Sequence, residues 1–223
     1  MPIPGDIIFG PGLNNSPKIN FREARALTNE NDKLELLKLR LDTLMINQID
    51  GISHKDEMNN LKIWSPIPLT YLTCLACETL GRVIIGNENK IKKDDVSRHA
   101  SILIFDEIDK AFSRNPKKKF KVQMKKIWSN DDLSKMNSYS FIFYKYLRTS
   151  FAHGYRAKNI FLNHKLEIGF EIKEGFLVIN PYWFWDRFKI VYHEVFTEIF
   201  NSNKTNNTYR NNALFYFDEL IKK

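Results

Sequence analysis

Cysteine is nearly absent. The 223-residue chain has two, Cys74 and Cys77, which cannot form a disulfide framework and fit a reducing compartment. Their C-x-x-C spacing lacks partners, because no second C-x-x-C and no H-x₃-H supplies the other two ligands of a zinc site. A redox pair would want a βαβ context, which is missing. Both lie in the most apolar segment, so they are expected to be core thiols. The N-terminus, Met1-Pro2-Ile3-Pro4-Gly5-Asp6, has no basic region followed by a continuous apolar run, as a secretory signal would. No stretch approaches the ~20 apolar residues that span a bilayer. Walker-type and dinucleotide-binding glycine motifs are absent, as are internal repeats. These absences predict a soluble, cytoplasmic protein that uses no cofactor or metal and has no membrane partner.

What is present is apolar and basic. With 43% hydrophobic and 13% aromatic residues, the chain carries enough apolar surface for one sizeable core. The formal charge of +8 favours a polyanionic partner, nucleic acid first. A lysine-rich solvated surface accounts for the same number. Lys117, Lys118, Lys119, Lys121, Lys125 and Lys126 occur with no acidic residue among them. They can contact phosphates or form a solvated loop.

Periodicity predicts an all-α bundle with an inserted β-hairpin. Residues 1–20 read as an irregular arm packed through Ile7, Ile8 and Phe9, and residues 21–223 as a single domain. A first helix is expected from Glu23 to Ile49, with Leu34, Leu37, Leu41, Leu44 and Met45 on its apolar face and Asp50-Gly51 as its stop. Ser65-Pro66 opens a second, Leu69 to Ile85, buried on most sides and stopped by Gly86-Asn87. A third covers Asp94 to Phe112, with Ile102, Leu103, Phe105, Ile108, Ala111 and Phe112 inward. A fourth runs from Leu133 to His153. The period then shortens: Phe161, Leu166, Ile168, Phe170 and Ile172 alternate with polar residues, and Lys173-Glu174-Gly175 turns the chain into Phe176–Ile179, a hairpin at about 160–180. Helices at about 182–200, opened by Asn180-Pro181, and 213–221 finish the domain. The aromatic run Tyr182-Trp183-Phe184-Trp185 is expected to anchor a core or an interface rather than stack bases, and His193-Glu194 to be a surface pair. His54, His99 and His164 have no neighbours that point to ligation.

The densest chemistry is Arg148-Thr149-Ser150-Phe151-Ala152-His153-Gly154-Tyr155-Arg156, with a glycine placed to end a helix. Histidine can transfer protons near neutrality, and the arginine fork matches a phosphate. Together they suffice for metal-free RNA cleavage: a base takes the 2′-hydroxyl proton, an acid protonates the leaving 5′-oxygen, and a cation holds the phosphorane. Five-residue spacing puts Arg148 and His153 about 140° apart on a straight α-helix. The pair therefore needs the helix to end near Gly154, or a second copy across a two-fold dimer. A capped helix end with exposed Arg, His and Tyr is the bland alternative.

Arg148-Thr149-Ser150-Phe151-Ala152-His153 resembles the R-x₄₋₆-H signature of the HEPN superfamily. Phe151-Ala152-His153-Gly154 is similar to the sequence that often closes it, and the run to Tyr155 resembles the R-x₄₋₆-H-x-Y form of HEPN toxins paired with a nucleotidyltransferase antitoxin. The resemblance implies a HEPN-like bundle and a metal-independent endoribonuclease, homodimeric, with RNA as substrate and Arg148 and His153 as the catalytic pair. Such proteins serve toxin–antitoxin, abortive-infection and antiviral systems, and Tyr155 falls where an antitoxin partner attaches AMP. The family often has Asn or Asp after the arginine. Here it is Thr149, so Thr149 or Ser150 must supply that polarity, with Arg156 a further basic group beyond Tyr155. A non-catalytic HEPN-like module that binds RNA or a nucleotide, or holds a protein complex together, is the other functional reading.

Overall fold

The helix Pro66–Ile85 (α4) is where the other elements meet. Most of its length is buried, with Leu69, Cys74, Cys77, Leu80 and Val83 fully so and Ile67 exposed at its start. The Thr70 and Thr73 hydroxyls donate to the carbonyls of Pro66 at 2.6 Å and Leu69 at 2.8 Å, which satisfies polar groups that burial would otherwise penalise. By length and composition α4 could cross a membrane, which the sequence reading did not expect of any segment. Most of its surface is packed against other helices of the protein.

The structure is a computed structural model and describes residues 8–13, 18–53, 66–87, 91–92, 95–116, 137–148, 160–167, 169–173, 176–201 and 207–222. Among them it is mainly helical, with two small sheets.

Ile8–Gly10 (β1) pairs antiparallel with Ile19–Asn20 (β2), so the expected irregular arm contains a short ribbon. Phe9 reaches the core between Phe21 and Phe217, whereas Ile8 is exposed and Ile7 lies outside the described residues. The expected helix from Glu23 to Ile49 is three helices: Phe21–Arg25 (α1), Glu30–Leu41 (α2) and Asn47–Ser53 (α3). Asn29 causes the first break by accepting from the Asn31 and Asp32 amides as an N-cap. A π-turn over Asp42–Ile46 joins α2 to α3, with the Asn47 amide bonded to the Asp42 carbonyl. The wider i→i+5 winding shifts the helical phase. Leu44, expected inside, is 55% exposed, while Asp42 accepts from the Tyr192 hydroxyl at 2.7 Å. Asp50-Gly51 does not stop the helix, and Asp50 instead accepts from the Trp185 indole at 2.7 Å.

Gly86, at φ +64°, ends α4 as expected, and its amide donates to the Arg82 carbonyl at 2.9 Å. Val96–Ile108 (α5) crosses α4 at Gly81, where a Cβ would strike the backbone of Ala100. This helix stops four residues before Phe112 because the Asp109 side chain takes the Ala111 amide at 2.8 Å, a local bond that competes with the helical one. Phe112 still reaches the core through a turn and stacks on Phe170 at 4.3 Å.

Tyr139–Phe143 (α6) and a second π-turn, Tyr144–Arg148, carry the chain back to α4. Ile160–Leu162 (β3), Phe170–Lys173 (β4) and Phe176–Ile179 (β5) form a sheet of order β3-β5-β4. The expected hairpin is β4–β5, with Lys173 opposite Phe176, and β3 adds a parallel strand that alternation alone did not predict. Pro181–Phe200 (α7) begins at Asn180 as expected. The Asn180 Oδ1 accepts from Tyr182 and Trp183 amides, and its Nδ2 donates to the carbonyls of His164 and Leu166. Phe184 and Trp185 are buried, so the aromatic run is at least half core. Thr208–Lys222 (α8) starts five residues earlier than Ala213, because Asn207 takes the Arg210 amide at 3.0 Å.

Candidate functional site

Arg148 is the member of the motif that lies among the described residues. Thr149, Ser150, His153, Tyr155 and Arg156 lie outside them, as do Lys117, Lys118, Lys119, Lys121, Lys125 and Lys126.

Arg148 closes the π-turn against α4, where Glu78 meets it. Its Nε and Nη2 donate to the same Glu78 oxygen, Oε2, at 2.9 and 2.6 Å. The pair is shielded, with side-chain exposures of 22% for Arg148 and 11% for Glu78. A guanidinium has five N–H donors, so this contact leaves the Nη1 edge of Arg148 unclaimed by Glu78. The other carboxylate oxygen, Oε1, takes Arg82 Nη2 at 3.2 Å, one helical turn along α4. Arg82 also donates to the Ser97 hydroxyl on α5 at 2.9 Å. The Tyr144 ring lies 5.9 Å from the Arg148 guanidinium carbon, and Arg98 pairs with Asp95 at 2.9 Å and lies over Phe141.

Among the described residues this group brings together three guanidinium groups, Arg82, Arg98 and Arg148, and two carboxylates, Glu78 and Asp95. Burial alone would raise the Glu78 carboxyl. The Ser97 hydrogen bond, the Arg148 charge and the bonds from Arg148 and Arg82 outweigh it and hold the group below the usual carboxylate range. Burial raises Tyr144, against the pull of Arg148, Arg98 and Arg82. The Cys74 thiol is also raised by burial, with Arg148 opposing, and Cys77 is raised by burial and by Cys74. Both cysteines are thus inert core thiols, as expected.

Glu78, Arg82, Ser97 and Arg98 were missed by the sequence reading. A signal was present: Glu78 and Arg82 stand at i and i+4 inside the most apolar helix, where a charge persists only with partners. The remaining histidines among the described residues show no shared site. His193 and Glu194 are both exposed, as predicted, and the His99 Nδ1 lies 2.9 Å from the Asp95 carbonyl oxygen.

No family model matches the chain, and no curated protein or solved structure is similar enough to it to be matched.

Proposed function

We propose that this protein is a metal-independent endoribonuclease of the HEPN type, cytoplasmic and homodimeric, acting in a toxin–antitoxin or antiviral defence system. The observation that carries the reading is the held arginine. The Glu78 carboxylate fixes Arg148 from one side, among two further guanidinium groups, immediately before the residues that include His153. A preoriented guanidinium loses little freedom on meeting a phosphate.

In this scheme Arg148 grips the non-bridging oxygens of the scissile phosphate with donors that Glu78 does not engage. His153 removes the proton from the 2′-hydroxyl, and the 2′-oxygen attacks phosphorus. The bond to the 5′-oxygen breaks as that oxygen takes a proton from a second imidazolium, supplied by the other copy of His153 across the dimer. The products are a 2′,3′-cyclic phosphate and a 5′-hydroxyl. Lys117, Lys118, Lys119, Lys121, Lys125 and Lys126 hold the RNA backbone. Thr149, Ser150 and Arg156 support the site, and Tyr155 is the position a nucleotidyltransferase partner modifies.

The shielding of the Arg148–Glu78 pair favours a second reading, a non-catalytic binding module in which the pair is structural. Incubation of single-stranded RNA with the protein in excess EDTA separates the two. The enzyme reading expects cleavage that His153→Ala abolishes in a folded protein. RNA bound without products, with Arg148→Ala weakening the binding and His153→Ala leaving it alone, supports the second reading.

A further inference from the structure

Arg40 stands in the last turn of α2, just before the first π-turn. Its guanidinium carbon lies 4.5 Å from the centre of the buried Phe9 ring, and its side chain runs across Gly10. The guanidinium is partly buried, yet among the described residues it has neither an ion pair nor a hydrogen bond. Burial draws its pKa down, with the nearby Tyr216 opposing. Desolvating a cation without an anion is unfavourable, so the position is better suited to a protein with an acid bound than to an empty one.

A cleft of about 380 Å³ opens beside it, between the α2 end, α4 and α8. Leu44, Met45, Leu72, Leu75 and Leu220 belong to its apolar lining, and Arg40, Gln48, Thr79 and Tyr216 line it too. The π-turn creates this surface by turning Leu44 outward to 55% exposure. The volume falls in the range of small-ligand clefts, about 300–1,000 Å³. That is enough for an aliphatic chain but short of the groove a helix needs. One cation beside a mainly apolar wall is complementary to an anion carrying a hydrocarbon tail.

We propose that this cleft binds a small amphiphilic anion, a medium-chain carboxylate whose tail lies along the leucines and whose head pairs with Arg40. The inference is independent of the ribonuclease reading, since the cleft and the Glu78–Arg148 group share no lining residue.

Titration calorimetry on the full chain at neutral pH tests it, with octanoate, decanoate, dodecanoate, dodecanol and dodecylamine below their micellar concentrations. Affinity rises along the carboxylates by up to about fourfold per methylene, the transfer value for a buried CH₂. Dodecanoate binds at least about tenfold more tightly than dodecanol or dodecylamine, as a charge-assisted hydrogen bond requires. Arg40→Met removes that preference and leaves dodecanol binding unchanged. Leu44→Glu, at an exposed position that tolerates the change, weakens decanoate about tenfold and keeps the test open if Arg40→Met does not fold. Equal binding of acid and amine, no binding by folded wild-type protein, or an unaffected Leu44→Glu variant overturns the proposal. So does a concentration-dependent dimer that Leu44→Glu dissociates, because the cleft would then be filled by a second copy of the chain.

Discussion

Glu78→Gln is the substitution that most directly tests how Arg148 is held. The carboxylate accepts two hydrogen bonds from Arg148 and one from Arg82, besides the one from Ser97, and its side chain is 11% exposed. Glutamine preserves the shape and an acceptor oxygen but removes the charge, leaving two guanidinium groups facing a neutral amide. Hydrogen bonds to charged groups contribute about 1.5–3 kcal/mol each when well shielded. Both arginines retain some solvent contact, which lowers the sum to about 2–4 kcal/mol. For a chain of this size that corresponds to a fall in Tm of roughly 5–15 °C. The pH dependence carries a definite sign. The folded carboxyl titrates below its unfolded value, so its stabilisation is complete above about pH 4.3 and is lost as pH falls through the lower folded value. Thermal unfolding of wild type and variant across acid to neutral pH should therefore show a wide gap at neutrality that closes in acid. The double variant Glu78→Gln, Arg148→Met should recover part of the loss, since removing both partners costs less than stranding one. A Tm shift under about 2 °C, or a gap that does not vary with pH, would refute the claim that Glu78 anchors Arg148.

Two further substitutions test the frame around the site. Gly81→Val places a side chain into the Ala100 backbone. It should separate α4 from α5 at a cost of about 3 kcal/mol or more by urea unfolding, and wild-type stability would contradict the close crossing. Asn180→Ala removes the α7 cap and the hydrogen bonds from Asn180 to the carbonyls of His164 and Leu166. It should cost about 2 kcal/mol in the same assay, and a loss below about 0.5 kcal/mol would dismiss the cap as a tie between sheet and helix.

Much of the fold was legible in side-chain period and caps. The α4 span, its glycine stop, the Asn180-Pro181 start of α7 and the β4–β5 hairpin all follow from local chemistry that nothing distant overrides. The misses have local causes of another kind. Asn29 and Asp109 turn their side chains onto nearby amides, the first starting a new helix and the second following the end of one, where the apolar pattern would continue a single helix. The π-turn at Asp42–Ile46 changes the winding, which a period of 3.6 cannot register, so Leu44 faces outward and not toward the core. The parallel strand β3 depends on a distant partner. For the site, Arg148 stands out in sequence by its neighbours, on which the expectation of phosphate chemistry rests. The carboxylate that holds it, Glu78, is 70 residues away in the chain and becomes a candidate only when a charge in an apolar helix is treated as a question.

The proposed metal-free cleavage of RNA by Arg148 and His153 is read most directly from the ends left when single-stranded RNA is incubated with the purified chain in excess EDTA. Wild type should leave 2′,3′-cyclic phosphate and 5′-hydroxyl termini, and a folded His153→Ala variant should leave the RNA intact. Unchanged cleavage by that variant, or intact RNA with the wild type, would contradict it.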